Sequence, residues 1–462
     1  MENGGSIWRA GFWTIVALAA LTRLWGISTP PYAIFDEVYY ATMANFYISG
    51  TPFVDTHPPA ARLIFALAAV LGGSDGAARF PAPGTPYAPF PYIWLRAASG
   101  IAGIICVALL MLFTRHLTAS PRAGLLAGAI GTLENALAAQ SRVILPDIFL
   151  LMFGLLGLLF AIRANTAAPA SRARHWWLAA AGIAIGCAIG VKISGAIFIA
   201  AAFLFSLARR EYRPSHPQLL VYLVVLPLVT LYMLTLLHFV LLDAQAPVLL
   251  SIGGNPDAPT SPIFDALREA TPKTTAALSL QRIKETTLAF AALPESHIRP
   301  FHPHAAASPW FSWPFMSHPI LYDDALADSG TRFLALFGNP VIWWGGLIAL
   351  AALLFRAVRG TSDRHIIIPL ALSYACALGI FAVATRELFL YLYIPALAFL
   401  IILLAVALDT LAKRSMRASG VALGLIAAAF LFFAPYTYEI PLSEHGIALR
   451  AWLPDWNFTE QK

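Results

Sequence analysis

Two adjacent carboxylates, Asp36 and Glu37, stand in the run Ile34-Phe35-Asp36-Glu37-Val38-Tyr39-Tyr40, directly after the first long apolar segment. Only 12 % of the 462 residues are charged, so an acidic pair at a membrane edge needs a reason. A second polar cluster, His57-Pro58-Pro59, follows on the same loop. One carboxylate can act as general base toward a hydroxyl nucleophile. Nearby cations can bind a phosphate and stabilise it as a leaving group, and a water-poor pocket strengthens both effects. A solvated acidic loop is the bland alternative, but the flanking Phe35, Tyr39 and Tyr40 argue for a packed segment.

Few other ionisable residues fall in or beside the apolar segments, where each costs several kcal/mol unless paired or hydrated. They are Arg23, Arg96, Glu134, Arg142, Asp147, Lys192 and the pair Arg386-Glu387. Each has a structural alternative. Arg23 could snorkel to headgroups, and Arg142–Asp147 could be a structural ion pair. Glu134-Asn135 reads best as a helix-packing contact. Lys192 could mark a turn, and His57 before two prolines could shape one. No phosphate-binding loop, dinucleotide fingerprint or serine-hydrolase signature is visible. That points away from a cytoplasmic nucleotide donor and toward a lipid phosphate.

The elements that must position these residues are membrane helices. The chain is 59 % hydrophobic, with a mean hydropathy of +0.71. A span needs about 20 apolar residues, and about eleven candidates are found. They lie near 7–27, 94–114, 121–140, 143–162, 176–191, 194–208, 217–242, 338–355, 365–384, 388–408 and 418–435. One helix through 176–208 would be about 50 Å long, beyond a core of about 30 Å, so two segments with Lys192 between them are expected. The first segment, long and containing Arg23, reads as a retained span rather than a signal peptide.

Loop arginines and lysines orient the bundle with the N-terminus inside and the C-terminus outside. The net charge of +6 reflects that topology signal rather than nucleic-acid binding. The outer segments 28–93 and 244–337 are long, and 60–72 is expected as an interfacial helix. Residues 1–435 are expected to form the membrane domain and 436–462 an extracytoplasmic tail. Cys106, Cys187 and Cys376 have neither zinc-site nor disulfide spacing. The sequon Asn457-Phe458-Thr459 is a short chance match.

These residues resemble a family. Phe35-Asp36-Glu37 followed by His57-Pro58-Pro59 is similar to the protein O-mannosyltransferases of glycosyltransferase family 39, which have the GT-C fold. Further similarities follow in order: Glu134-Asn135-Ala136-Leu137 with Gln140-Ser141-Arg142, Ile144-Leu145 and Asp147; Gly186, Gly190, Lys192 and Gly195; Trp310, Ser312-Trp313-Pro314 and Met316. The series ends with Gly338-Asn339-Pro340-Val341-Ile342-Trp343-Trp344, then Arg386, Phe389, Tyr391, Tyr393 and Pro395. The fold class so implied is an all-α polytopic membrane protein.

The resemblance implies that Asp36 takes the proton from an acceptor Ser or Thr, while Glu37 binds the acceptor or orients the site. Arg23 and Arg96 match arginines the family needs for structure or activity, and both are candidates for binding the substrate phosphate. By charge and expected location, His57, Arg142, Asp147, Lys192 and Arg386 are candidates around the lipid phosphate and sugar. The implied donor is a polyprenyl-phosphate mannose, the acceptor a protein or peptide, and the outcome inversion at the anomeric carbon. No metal or cofactor is required.

Two departures stand out. Leu392 occupies a position usually His, and the second outer loop is too short for the β-trefoil of eukaryotic relatives. Both point to a bacterial cell-membrane member, and they keep open another sugar with a lipid or glycan acceptor. A transporter would be expected to show internal repeats and mid-membrane charges; neither is seen.

Overall fold

The computed structural model describes residues 2–53, 55, 57–169, 171–208, 214–242, 306–384 and 387–458. Arg386, most of the second outer loop, the basic flank Arg209, Arg210 and Arg213, and Thr459 of the sequon lie outside them.

Nine helices among the described residues are long and apolar enough to cross a membrane. They belong to a series numbered in chain order: α1 (Glu2–Leu24), α2 (Glu37–Ser49), α3 (Ala60–Leu71), α4 (Tyr92–Thr118), α5 (Pro121–Thr132), α6 (Asn135–Gln140), α7 (Asp147–Ala164), α8 (Arg172–Val191) and α9 (Ile197–Ala208). The series continues with α10 (His216–Val240), α11 (Pro340–Val358), α12 (Arg364–Gly379), α13 (Ile394–Arg414), α14 (Met416–Phe433), α15 (Pro435–Tyr438) and α16 (Glu444–Ala448). The nine are α1, α4, α7, α8, α10, α11, α12, α13 and α14.

Two of the eleven expected spans take another form. The segment 121–140 is broken into α5 and α6, because the Glu134 side chain accepts the Leu137 amide and caps α6. The segment 194–208 becomes a 3₁₀ turn, Ile193–Ala196, followed by the short α9. Lys192 is extended and separates α8 from that turn. A Cβ on Gly195 would fall 2.5 Å from the Ala188 carbonyl carbon, so only glycine lets the chain fold back there. Gly186 plays the same part between helices: its Cβ would meet the Pro227 carbonyl of α10 at 2.8 Å.

A helix apolar on every side belongs in the interior. The best example is α13, most of whose residues are buried, whereas α1 lies largely exposed at the periphery. Around α13 pack α5, α11, α12 and α14, while α7 lies against α4, α8 and α9.

One element was not expected. Strands β1 (Ile320–Ala327) and β2 (Gly330–Leu336) pair antiparallel beside the helix ends. The register slips between Leu321 and Asp323, leaving Tyr322 as a bulge. The tail expected over 436–462 joins this hairpin. Thr331 bridges Leu442, and the fully buried Trp456 donates its indole N–H to the Met316 carbonyl at 2.9 Å.

Candidate active site

Helix ends converge on the acidic pair. Asp36 is the N-cap of α2 and Glu37 its first residue. Arg96 lies in the first turns of α4, Asp147 opens α7, and Lys192 follows α8. An acid at a helix N-terminus and a cation past a C-terminus both suit the helix dipole.

Glu37 is fully buried and its oxygens are filled. Arg96 donates from Nε to Oε1 at 2.9 Å and from Nη2 to Oε2 at 2.7 Å. The Tyr87 hydroxyl donates to Oε2 at 3.0 Å. The amides of Ile144 and Ile34 add bonds at 2.9 and 3.3 Å. Arg96 also donates to the Pro30 and Ile27 carbonyls at 2.9 and 3.2 Å. The pair therefore ties α2, α4, the turn before α7 and the loop after α1 together. All of these Glu37 bonds are internal to the fold.

Asp36 is the opposite. It is half-buried, makes no capping bond, and among the described residues its carboxylate takes no hydrogen bond. Burial pushes its carboxyl up to about 6, against the opposing pull of Lys192 and with help from Asp147 and Asp55. Such a carboxyl changes protonation near neutrality. Phe35, just before it, has φ +42°, a conformation that a bulky residue rarely adopts.

The remaining candidates divide. Lys192 donates to both oxygens of Asp147 at 2.7 and 2.9 Å, and its Nζ lies 4.4 Å from the Tyr391 ring centre. The ion pair considered for Arg142 and Asp147 is therefore replaced, because Lys192 reaches Asp147 first. Arg142 instead donates to the Trp25 and Gly26 carbonyls at the end of α1 and stacks 4.7 Å over Tyr438. Arg23 is buried and donates to the Gly131 carbonyl at 2.8 Å. Both arginines tie neighbouring elements together through these carbonyls. The His57 carbonyl accepts from Arg62. Glu134 accepts from the Leu137 amide, the Asn339 amide and the Trp343 indole, the packing node expected.

Asp55, Arg62, Gln140 and Tyr322 escaped notice as site residues. Arg62 bonds Asp55, whose charge acts on Asp36, and stays buried in α3. A lone arginine inside the apolar stretch 60–72 was the available signal.

Comparison with known proteins follows the same outline. Residues 13–244 match the family model described as dolichyl-phosphate-mannose-protein mannosyltransferase. Residues 288–456 match the C-terminal four-helix membrane region of protein O-mannosyltransferase. Protein O-mannosyl-transferase 1 of Mus musculus is 35 % identical over 188 residues, which is 39 % of this chain and 25 % of that protein. Mannosyltransferase 4 of Candida albicans is 35 % identical over 187 residues, again 39 % and 25 %. These alignments span about a quarter of the length of those relatives. Among solved structures, the S. cerevisiae protein O-mannosyltransferase Pmt1-Pmt2 complex bound to the sugar donor superposes with a TM-score of 0.80 at 16 % identity. That match covers 96 % of this chain and 92 % of the other. ArnT from Cupriavidus metallidurans, bound to undecaprenyl phosphate, gives 0.54 at 15 % identity, covering 94 % and 65 %. At these identities the likeness concerns the fold, a GT-C membrane bundle.

Proposed function

Because the chain belongs to the dolichyl-phosphate-mannose-protein mannosyltransferase family, we propose that it transfers mannose from a polyprenyl phosphate to Ser or Thr hydroxyls of proteins. The observation that carries this reading is the contrast within one dipeptide. Glu37 is locked by Arg96, while the Asp36 carboxylate beside it takes no hydrogen bond among the described residues and has its pKa held near 6.

In the reaction, Asp36 accepts the hydroxyl proton as the acceptor oxygen attacks the anomeric carbon. The bond from that carbon to the phosphate oxygen breaks, and its electron pair stays on the lipid phosphate. Attack from the side opposite the leaving group inverts the anomeric centre. Lys192, held by Asp147 and resting on Tyr391, would face the departing phosphate. Glu37 keeps α2 in register through Arg96, so that Asp36 meets the hydroxyl at a fixed angle.

The multi-pass bundle would work at the outer face of a bacterial cell membrane, with the N-terminus inside. The distribution of loop arginines and lysines supports that orientation. Residues 1–435 would be the transferase domain, with 436–462 outside. Arg386 remains a candidate for the phosphate by its charge and its place in the family motif.

Purified protein, labelled polyprenyl-phosphate mannose and a Ser/Thr-rich peptide test the proposal. Label on the peptide is expected, and is lost with Asp36→Asn. Label appearing only on a lipid or glycan acceptor, or only from another sugar donor, would sink the protein-mannosylation reading.

A further inference from the structure

The geometry points to Tyr322 as a positioning residue for the Asp36 carboxylate, acting through Phe35. This rests on the sugar-transfer reading above. Tyr322 is the residue that β1 leaves unpaired, between the pairs Leu321–Ala335 and Asp323–Leu334. A bulge re-aims a side chain out of the pleat, and this one is buried rather than exposed. Its ring lies 4.8 Å from the Phe35 ring, tilted by 37°. Its hydroxyl accepts from the Gln140 amide nitrogen at 2.8 Å, which pins it to the end of α6.

Phe35 holds φ +42° immediately before Asp36. A bulky residue keeps that conformation only where neighbours enforce it. The hairpin supplies the neighbour on one side, through Tyr322. It grips the same loop a second time, where the Tyr32 hydroxyl donates to Asp323 at 2.9 Å. On the other side Glu37 is fixed by Arg96 and Tyr87. Asp36 thus sits between two clamps, one behind it in the helix bundle and one ahead of it in the hairpin. Burial, then the charges of Asp147 and Asp36, hold the Tyr322 phenol well above the usual tyrosine range. It therefore stays neutral beside both acids.

Three variants separate a positioning role from a packing one. Tyr322→Ala should lower kcat by about 100-fold, the scale of a displacement of about 1 Å in a reacting group. KM for polyprenyl-phosphate mannose should change by less than about threefold, since uniform binding is untouched. The acidic limb of the pH profile should also move down by about one pH unit as Asp36 relaxes toward water. Tyr322→Phe keeps the ring and should retain activity within about threefold. Tyr322→Leu keeps bulk without the ring and should resemble alanine in kcat.

A second readout needs no turnover. Asp36→Asn should raise the thermal midpoint in the wild-type background, and that gain should fall by at least half in the Tyr322→Ala or Tyr322→Leu background. Equal gains in all backgrounds, or variants that lower the midpoint while kcat and the acidic limb stay put, overturn the assignment. If the unaltered protein transfers no mannose, the functional reading fails, and the thermal comparison still decides the role of Tyr322.

Discussion

The Glu134 node and the Asp36 rim both bury acidic side chains, yet they are built on opposite terms. Glu134 is inaccessible, accepts three N–H donors from Leu137, Asn339 and Trp343, and forms no ion pair among the described residues. Asn339 extends the node by donating to the Leu133 and Ile426 carbonyls at 3.0 and 2.9 Å. Every oxygen is used, and the result is a joint between α6, α11 and α14. At the rim, the Asp36 carboxylate has burial without donors among the described residues, and its neighbours Asp55 and Asp147 are each held by a cation. A carboxylate whose lone pairs are filled fixes a fold, whereas one left unfilled keeps its basicity for chemistry. Glu37 stands one residue from Asp36 and behaves like Glu134, so the dividing line runs through a single peptide bond.

Substitutions should fall on either side of that line. The largest effect expected is Asp36→Asn, which should cut kcat by about 10²–10⁴-fold, the usual weight of a general base. The same change should raise the thermal midpoint at pH 7.5. The Asp36 carboxyl is raised from 3.8 to about 6 in the fold. Its favourable contribution is therefore complete below pH 3.8 and lost as pH climbs through 6, leaving an unfavourable ionised group at pH 7.5. An active or less stable Asp36→Asn protein would erase the contrast.

Arg96→Met comes next. It strands Glu37 as a buried, unpaired charge and should cost about 3–5 kcal/mol of stability, read as lost monodisperse protein or a lowered midpoint. Glu134→Gln should cost about 1–3 kcal/mol, since the Leu137 amide loses its acceptor, while kcat per folded molecule stays near wild type. A large kcat loss there would make Glu134 part of the chemistry. The smallest effect is in pH dependence. The rate should rise with pH through about 6 and fall about tenfold at pH 5 as Asp36 protonates. That limb should vanish from whatever residual activity Asp36→Asn retains.

The chain announced its reactive end through cost. Asp36, Glu37, Arg96, Asp147 and Lys192 are ionisable groups in or beside apolar sequence, and the structure gathers them at one end of the bundle. The helices were equally legible, because apolar length is local information. What stayed hidden depends on partners far along the chain. The break at Glu134 needed Asn339 and Trp343 to complete it. Arg142 could not be told from a ligand of Asp147 until Lys192 was seen to occupy that acid. The bulge at Tyr322 follows from strand register, which no periodicity in a Pro-rich outer segment reveals.

Trp456 gives the hairpin its footing. Its indole bonds Met316, and its ring meets Phe337, edge to face, at 4.7 Å just beyond β2. Ribosomes deliver this chain in order, so Asp36 and its helices enter the membrane long before Trp456 is made. Until then the hairpin lacks its support, and the clamp ahead of Asp36 is incomplete. A nascent or truncated chain that stops short of Trp456 would, on the proposed roles, carry Asp36 without its aim. On the proposed role of the hairpin, the order of synthesis would withhold the aim of Asp36 until nearly the last residues are made.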